Sequence, residues 1–261
     1  MAFTSSGVWV RPILHRKRQI AVRNYLAESK PEELDADVAL QVNDLSLAWS
    51  SGRPVLKGIS FSVPKGQVCM VVGPNGCGKS TLLRLLHGLT YADSGKINIR
   101  SPVGFVFQDP SVQMLFPTVF MEVMSGTDED APMEERVELA TNALKRTGMM
   151  HLANKPTLNL SGGQKQRIAT ATMLVRRPQF MLFDEVTASL DPEARVQMLE
   201  FAIGIVKELN IGSLWVTHVY DELECADRVI VLDSGAIIAD GSLEEVKPTL
   251  SDLWARNEGD W

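Results

Sequence analysis

Residues 67–89 read QVCMVVGPNGCGKSTLLRLLHGL. The first six carry no charge and are rich in valine, which predicts a strand in the middle of a sheet. The leucines after Lys79 recur at helical spacing and stop at Gly88, so the strand must pass through a glycine-rich turn straight into a helix. That unit belongs to an α/β fold. Within it, Gly73-x-x-x-x-Gly78-Lys79-Ser80 matches the phosphate-loop pattern, making Gly73, Pro74, Asn75, Gly76, Cys77, Gly78, Lys79, Ser80 and Thr81 candidate binding residues. Backbone N–H groups cradle the phosphates, the lysine reaches the β/γ oxygens and the Ser80 hydroxyl binds Mg²⁺. The expected ligand is a nucleoside triphosphate. Cys77 has two readings, a small neutral filler or a thiol activated by Lys79 and the amide donors.

A second apolar strand is expected over QFMLFDEV, residues 179–186. It ends in two carboxylates, with Asp184 placed to hold Mg²⁺ and Glu185 to polarise an attacking water. Asp191 then caps a helix with Pro192 in its first turn, and Val196, Leu199, Ile203 and Val206 are expected on its apolar face. A third strand, GSLWVTH, delivers His218 to the same edge, where imidazole either bonds a γ-phosphate oxygen or merely packs. Ahead of the phosphate loop, VALQVNDLSLAW and VLKGISFSV alternate apolar and polar residues as half-buried antiparallel strands do.

LNLSGGQKQR, residues 158–167, poses a separate question. Ser161 can cap a helix reaching to the residue before Pro178, with Gln164 completing a capping box. A serine hydroxyl, two side-chain-free residues (Gly162, Gly163) and a positive helix end form a second anion site. The chain's own triphosphate already has its loop at 73–81, so this site suits a nucleotide held by another subunit. Between the two, residues 133–148 predict a helix with Val137, Ala140, Leu144 and Thr147 on one face.

Charge divides the chain. Residues 1–27 hold five basic side chains (Arg11, Arg16, Lys17, Arg18, Arg23) and no acid, whereas the net charge of the 261 residues is −6. The acid-free, arginine-rich start reads as an organelle transit peptide; a basic arm that is solvated, or touches anionic lipid or nucleic acid, is the alternative. Residues 28–37 turn acidic and read as a linker, so 1–37 is expected to precede a folded domain at 38–243, with residues 244–261 as a tail. No apolar run approaches the roughly 18 residues of a membrane span. Three cysteines without metal-ligand spacing argue against zinc and suit a reducing compartment.

Taken in order, Gly73 to Thr81, Gln108 after VGFVF, LSGGQKQR, FMLFDE, ASLD and His218 resemble the nucleotide-binding subunit of ATP-binding-cassette (ABC) proteins. The resemblance spans residues 38–243 and implies a P-loop NTPase fold of the ABC ATPase type, with an antiparallel β part and a helical subdomain at about 110–175. It implies ATP and Mg²⁺ as ligands and a head-to-tail dimer, identical or mixed, in which Ser161, Gly162, Gly163 and Gln164 act on the partner's ATP. Gln108 would sense Mg²⁺ and couple to a transmembrane partner, and Asp191 would contact the opposite subunit. Lys79, Glu185 and His218 would be the catalytic set. Trp49 stands where such cassettes carry an aromatic that stacks on adenine; capping the sheet edge is its other reading.

FQDPSVQMLFPTVFMEV and LWVTHVYDELECADRVIVLDSG further resemble the ATPases of energy-coupling-factor and cobalt-type importers, plastid members included, although SGTDEDAPM is short and acidic where many relatives continue a helix. With the N-terminal arm, this implies a plastid ATPase, peripheral on a membrane, that powers uptake of a metal ion or vitamin-like solute; a mitochondrial or cytoplasmic location is the alternative. A soluble ABC ATPase in cluster assembly, repair or translation is the competing class. Each motif occurs once and the body has no basic patch, which argues against tandem cassettes and a nucleic-acid partner.

Overall fold

Strand β3 (Val68–Val72) is buried along its whole length and lies in parallel between β7 (Gly212–Val216) and β8 (Arg228–Asp233). Its side chains alternate between two cores. Cys69 and Val71 enter one, Val68, Met70 and Val72 the other, because both faces of the sheet are covered. The computed structural model describes residues 34–49 and 52–256. The transit-peptide reading at 1–27 and residues 28–33 of the expected linker lie outside them.

The full sheet runs β5-β6-β7-β3-β8-β9, with β5 (Val103–Val106), β6 (Phe180–Asp184), β7, β3 and β8 parallel and β9 (Ala236–Gly241) antiparallel at the edge. A separate antiparallel sheet, β2-β1-β4, comes from β1 (Val38–Ala48), β2 (Pro54–Pro64) and β4 (Ser94–Ile99). Leu40, Val42, Leu45 and Leu47 of β1 point inward and meet Leu82, Leu83, Leu85 and Leu86 of α1 (Lys79–Leu86) in one core with the large sheet. Each such leucine contributes on the order of 2 kcal/mol by burial. The mixed α/β core with an antiparallel β part that the sequence predicts is the arrangement found.

A helical subdomain extends from the end of β5, comprising α2 (Val119–Ser125), α3 (Met133–Arg146) and α4 (Gly162–Leu174) around a core of its own. Ala140, Ala143, Leu144 and Thr147 form the buried face of the α3 region, while Val137 of the expected face is exposed. Helix α4 stops at Leu174 instead of running to the residue before Pro178. The proline ring bars Arg177 from continuing the right-handed helix, and Arg177 has φ 51°.

The opposite face of the large sheet carries α5 (Pro192–Glu208) and α6 (Leu243–Arg256). In α5 the buried residues are Met198, Leu199, Ala202, Ile205 and Val206; Val196 is 54% exposed, so the face is rotated from the expected stripe. Residues 244–256 are no loose tail. Val246, Leu250 and Leu253 enter the sheet core, and the Trp254 ring lies tilted against Tyr220 with centroids 4.8 Å apart.

Candidate functional site

The phosphate-loop segment turns tightly between β3 and α1. A Cβ on Gly73 would overlap the Leu232 carbonyl oxygen, so the strand-to-loop corner admits only glycine. Gly78 caps α1 with φ 115°, which aims the first N–H groups of the helix into the turn. Lys79 is buried, and its Nζ donates to the carbonyls of Gly73 (2.6 Å) and Pro74 (3.1 Å). An ammonium this deep is tolerable because carbonyl oxygens receive it. Burial pushes the Cys77 thiol up despite the nearby Lys79 charge, which favours the neutral-filler reading over activation.

The loop forms one wall of a cavity of about 830 Å³. Pro74, Asn75, Gly76, Cys77, Gly78, Lys79, Ser80 and Thr81 line it, with Glu185 at one end and Trp49 among the residues facing it. The indole is 46% exposed. Arg53, Pro54, Val55, Lys57 and the turn Asp233–Gly235 complete the lining, and the sequence reading missed them. Lys57 N donates to Gly235 O, so this contact joins the small sheet to the edge of the large one beside the cavity. The Asp-Ser-Gly turn between β8 and β9 was the available signal; nothing in its spacing ties it to residue 73.

The strand ends supply the acids. Asp184 lies behind the loop, and Ser80 Oγ donates to its Oδ1 at 3.2 Å. Burial raises the Asp184 pKa, opposed by the Ser80 bond and reinforced by the Glu185 charge. Glu185 follows with φ 47°, its N–H donating to Val216 O at 3.0 Å. A non-glycine residue in the left-handed region is strained, and here it turns the carboxylate out of the strand. Gln108 Nε2 donates to Glu185 Oε2 (3.0 Å), and His218 Nδ1 lies 3.4 Å from the same oxygen. Two expected residues, Gln108 after β5 and His218 after β7, therefore converge on the carboxylate of a third, Glu185 after β6, which lines the cavity.

The stretch after Leu160 behaves as its pattern predicts. Gln164 N donates to Ser161 Oγ (3.3 Å) and Ser161 N to Gln164 Oε1 (3.1 Å), a complete capping box on α4. A Cβ on Gly162 would press on Leu190, whereas one on Gly163 would make ordinary contact with Ala194. Packing thus disfavours a side chain at the first glycine and not at the second. None of Ser161, Gly162, Gly163 and Gln164 lines the cavity. Asp191, at the start of α5, accepts from Ala194 N as a helix cap.

Two further glutamines hold Gln108 in place. Gln113 accepts from Phe107 N and donates to Phe105 O, and Gln166 of α4 donates to the carbonyls of Phe107 (3.2 Å) and Gln108 (3.0 Å). The glutamine loop and the capped helix are therefore one hydrogen-bonded unit.

Residues 56–188 match the ABC transporter family. The energy-coupling factor transporter ATP-binding protein EcfA2 of Clostridium perfringens is 37% identical over 228 residues, covering 80% of this chain and 80% of that protein. ABC transporter I family member 10 of Arabidopsis thaliana is 36% identical over 213 residues, covering 78% and 79%. The solved structure of cbiO1 from Clostridium perfringens, part of the ABC transporter complex cbiONQ, has a TM-score of 0.75 at 35% identity and covers 84% of this chain and 96% of its own. Among the described residues no helix is long and apolar enough to cross a membrane. Fold, loop and likeness agree that this chain belongs to the ABC transporter family, as an ATP-binding, ATP-hydrolysing subunit.

Proposed function

We propose that the chain is the ATPase of an uptake system whose membrane-spanning part is a separate protein, with a metal ion or a vitamin-like compound as the solute. Likeness to EcfA2 and cbiO1 supports an importer of this class. The observation that carries a separate membrane partner is a groove of about 400 Å³ beside the glutamine loop, bounded by β5, α2 and α4. Val112 and Leu115 stand exposed on it, Leu115 at 82%. That exposure is built in. The buried Glu122 carboxylate accepts from Leu115 N (2.8 Å) and Phe116 N (2.9 Å), fixing the loop with its side chains outward. A partner segment seated there would press on the unit containing Gln108 and, through it, on Glu185. A plastid location is supported by the acid-free basic start and the Arabidopsis relative.

In this reading ATP lies along residues 73–81 with its adenine against Trp49, while Lys79 leaves the Gly73 and Pro74 carbonyls for the β/γ-phosphates. Ser80, Asp184 and Gln108 present hydroxyl, carboxylate and carboxamide oxygens, the hard donors that suit Mg²⁺, and the raised pKa of Asp184 is a burial penalty that a cation would relieve. Bound there, Mg²⁺ would neutralise phosphate charge. Glu185 orients and deprotonates the attacking water, and His218 holds both Glu185 and a γ-phosphate oxygen. Ser161 to Gln164 close on the nucleotide of a second ATPase subunit, identical or not, with Asp191 at the junction. Because the oxygen of Ser161 already accepts from Gln164 N, its hydroxyl proton is free for a phosphate.

Purification of the full chain from detergent-solubilised organelle membranes tests the proposal. A stoichiometric multi-span protein is expected, and Leu115→Asp should lose it while binding ATP as the wild type does. A purely soluble set of partners would overturn the transport reading in favour of an assembly role. Trp49→Ala should weaken ATP binding about tenfold, the lower part of the 1–3 kcal/mol range for stacking because the indole is half exposed. Calorimetry with a wild-type Kd for that variant would leave Trp49 as an edge residue only.

A further inference from the structure

Glu222 follows His218 by four residues and is only 2% exposed. A carboxylate at that depth is costly unless its oxygens are engaged. Both are. Thr187 Oγ1 donates to Oε1 at 2.5 Å and Thr217 Oγ1 donates to Oε2 at 2.6 Å. Thr187 comes two residues after Glu185, in the loop that leads to Asp191; Thr217 directly precedes His218. The Thr217 oxygen also accepts from Val219 N at 3.0 Å, so it closes a tight turn around the histidine. On the strand side the two loops are already tied by Glu185 N to Val216 O. Glu222 supplies a second tie farther along both loops, and Glu185 and His218 meet near these ties.

We propose that Glu222 is a positioning residue for ATP hydrolysis: its carboxylate clamps the Thr187 loop to the Thr217 turn and thereby fixes Glu185 against His218. The inference rests on the reading that Glu185 and His218 act at the γ-phosphate. A carboxylate is suited to the task because it only accepts, which makes both threonine hydroxyls donate and keeps a Thr217 lone pair for Val219 N–H. Glutamine has the same shape but must turn an NH₂ toward one threonine. That reverses the direction of one bond in a buried network where each group has a fixed partner.

Steady-state ATPase assays on the full chain test this. Glu222→Gln is expected to lower kcat about 10- to 100-fold, the range for lost outer-shell support and small misplacement of reacting groups, with the KM for ATP and nucleotide affinity within about twofold of wild type. Thr217→Val should behave like Glu222→Gln, and Thr217→Ser, which keeps the hydroxyl, should recover most of the rate. A purely architectural role predicts a lower Tm with kcat of the folded protein unchanged, or KM rising in step; either result overturns the proposal, as does full activity in Thr217→Val. If Glu222→Gln does not fold, Thr187→Val and Thr217→Val carry the same comparison. Glu185→Gln assayed in parallel separates the two levels: full activity there removes the reading of the site itself, whereas loss there with a normal Glu222→Gln removes only the clamp.

Discussion

Glu185→Gln is expected to bind ATP with wild-type affinity and to hydrolyse it at least about 100-fold more slowly, the scale of a lost general base. The amide fills the same space, and Gln108 and His218 remain to hold it, since the carboxamide oxygen can replace Oε2 as their acceptor. What it cannot do is take a proton from water. ATP should therefore stay intact in a site that has closed on it, and the variant should accumulate as a nucleotide-bound dimer visible by size-exclusion chromatography with light scattering. Binding and turnover separate only if the side chain works on the chemical step. Weakened binding in Glu185→Gln would instead assign the residue to holding the nucleotide, and unchanged hydrolysis would remove it from the reaction.

The residues behind that prediction were legible to different degrees, for a physical reason. Gly73 to Thr81 form a contiguous loop, so one stretch of sequence contains the whole device: the corner glycine, the helix start and the lysine. Asp184 and His218 were placed by strands whose apolar runs end one residue before the first and two before the second. The parts that escaped are contacts between segments far apart in sequence. Gln166 reaches carbonyls 58 and 59 residues away, and Glu222 bonds a threonine 35 residues before it. Each reads alone as an ordinary polar residue in a helix or turn. Asp233–Gly235 likewise looks like any hairpin turn until Lys57 is seen to bond it.

Helix faces failed where the pattern itself was degenerate. In α5, Val196-Leu199-Ile203-Val206 and Met198-Ala202-Ile205 both recur at helical spacing, so periodicity offers two adjacent stripes about a third of a turn apart. The sheet takes the second stripe together with Leu199 and Val206 of the first, and leaves Val196 in solvent. Val137 in α3 tells the same story, displaced by Ala143, whose small side chain suits close helix packing. Residues 244–256 lacked an obvious partner in sequence. Their apolar side chains at 246, 250 and 253 acquire meaning only against the sheet.

Ser161→Arg is expected to abolish hydrolysis while leaving ATP binding to the isolated chain unchanged. The argument turns on where Ser161 is not. The cavity lined by Lys79 and Ser80 has no contribution from residues 161–164, yet those residues present a capped helix end with a spare hydroxyl proton and a glycine, Gly163, that local packing does not demand. In the proposed reading the anion comes from a second subunit, and a guanidinium at this position would block its approach. Arginine also removes the helix cap, worth about 1 kcal/mol, so Ser161→Asp is the control. Aspartate caps as well as serine does but sets a carboxylate against incoming phosphates, and it too should be inactive with an unchanged Tm. Mixing resolves the geometry. In a dimer of identical chains, Ser161→Arg combined with Lys79→Ala leaves one composite site whole, with Lys79 from the first chain and Ser161 from the second, so hydrolysis should return although neither variant is active alone. Loss of ATP binding in isolated Ser161→Arg, with no recovery on mixing, would mean that the segment serves the nucleotide of its own chain.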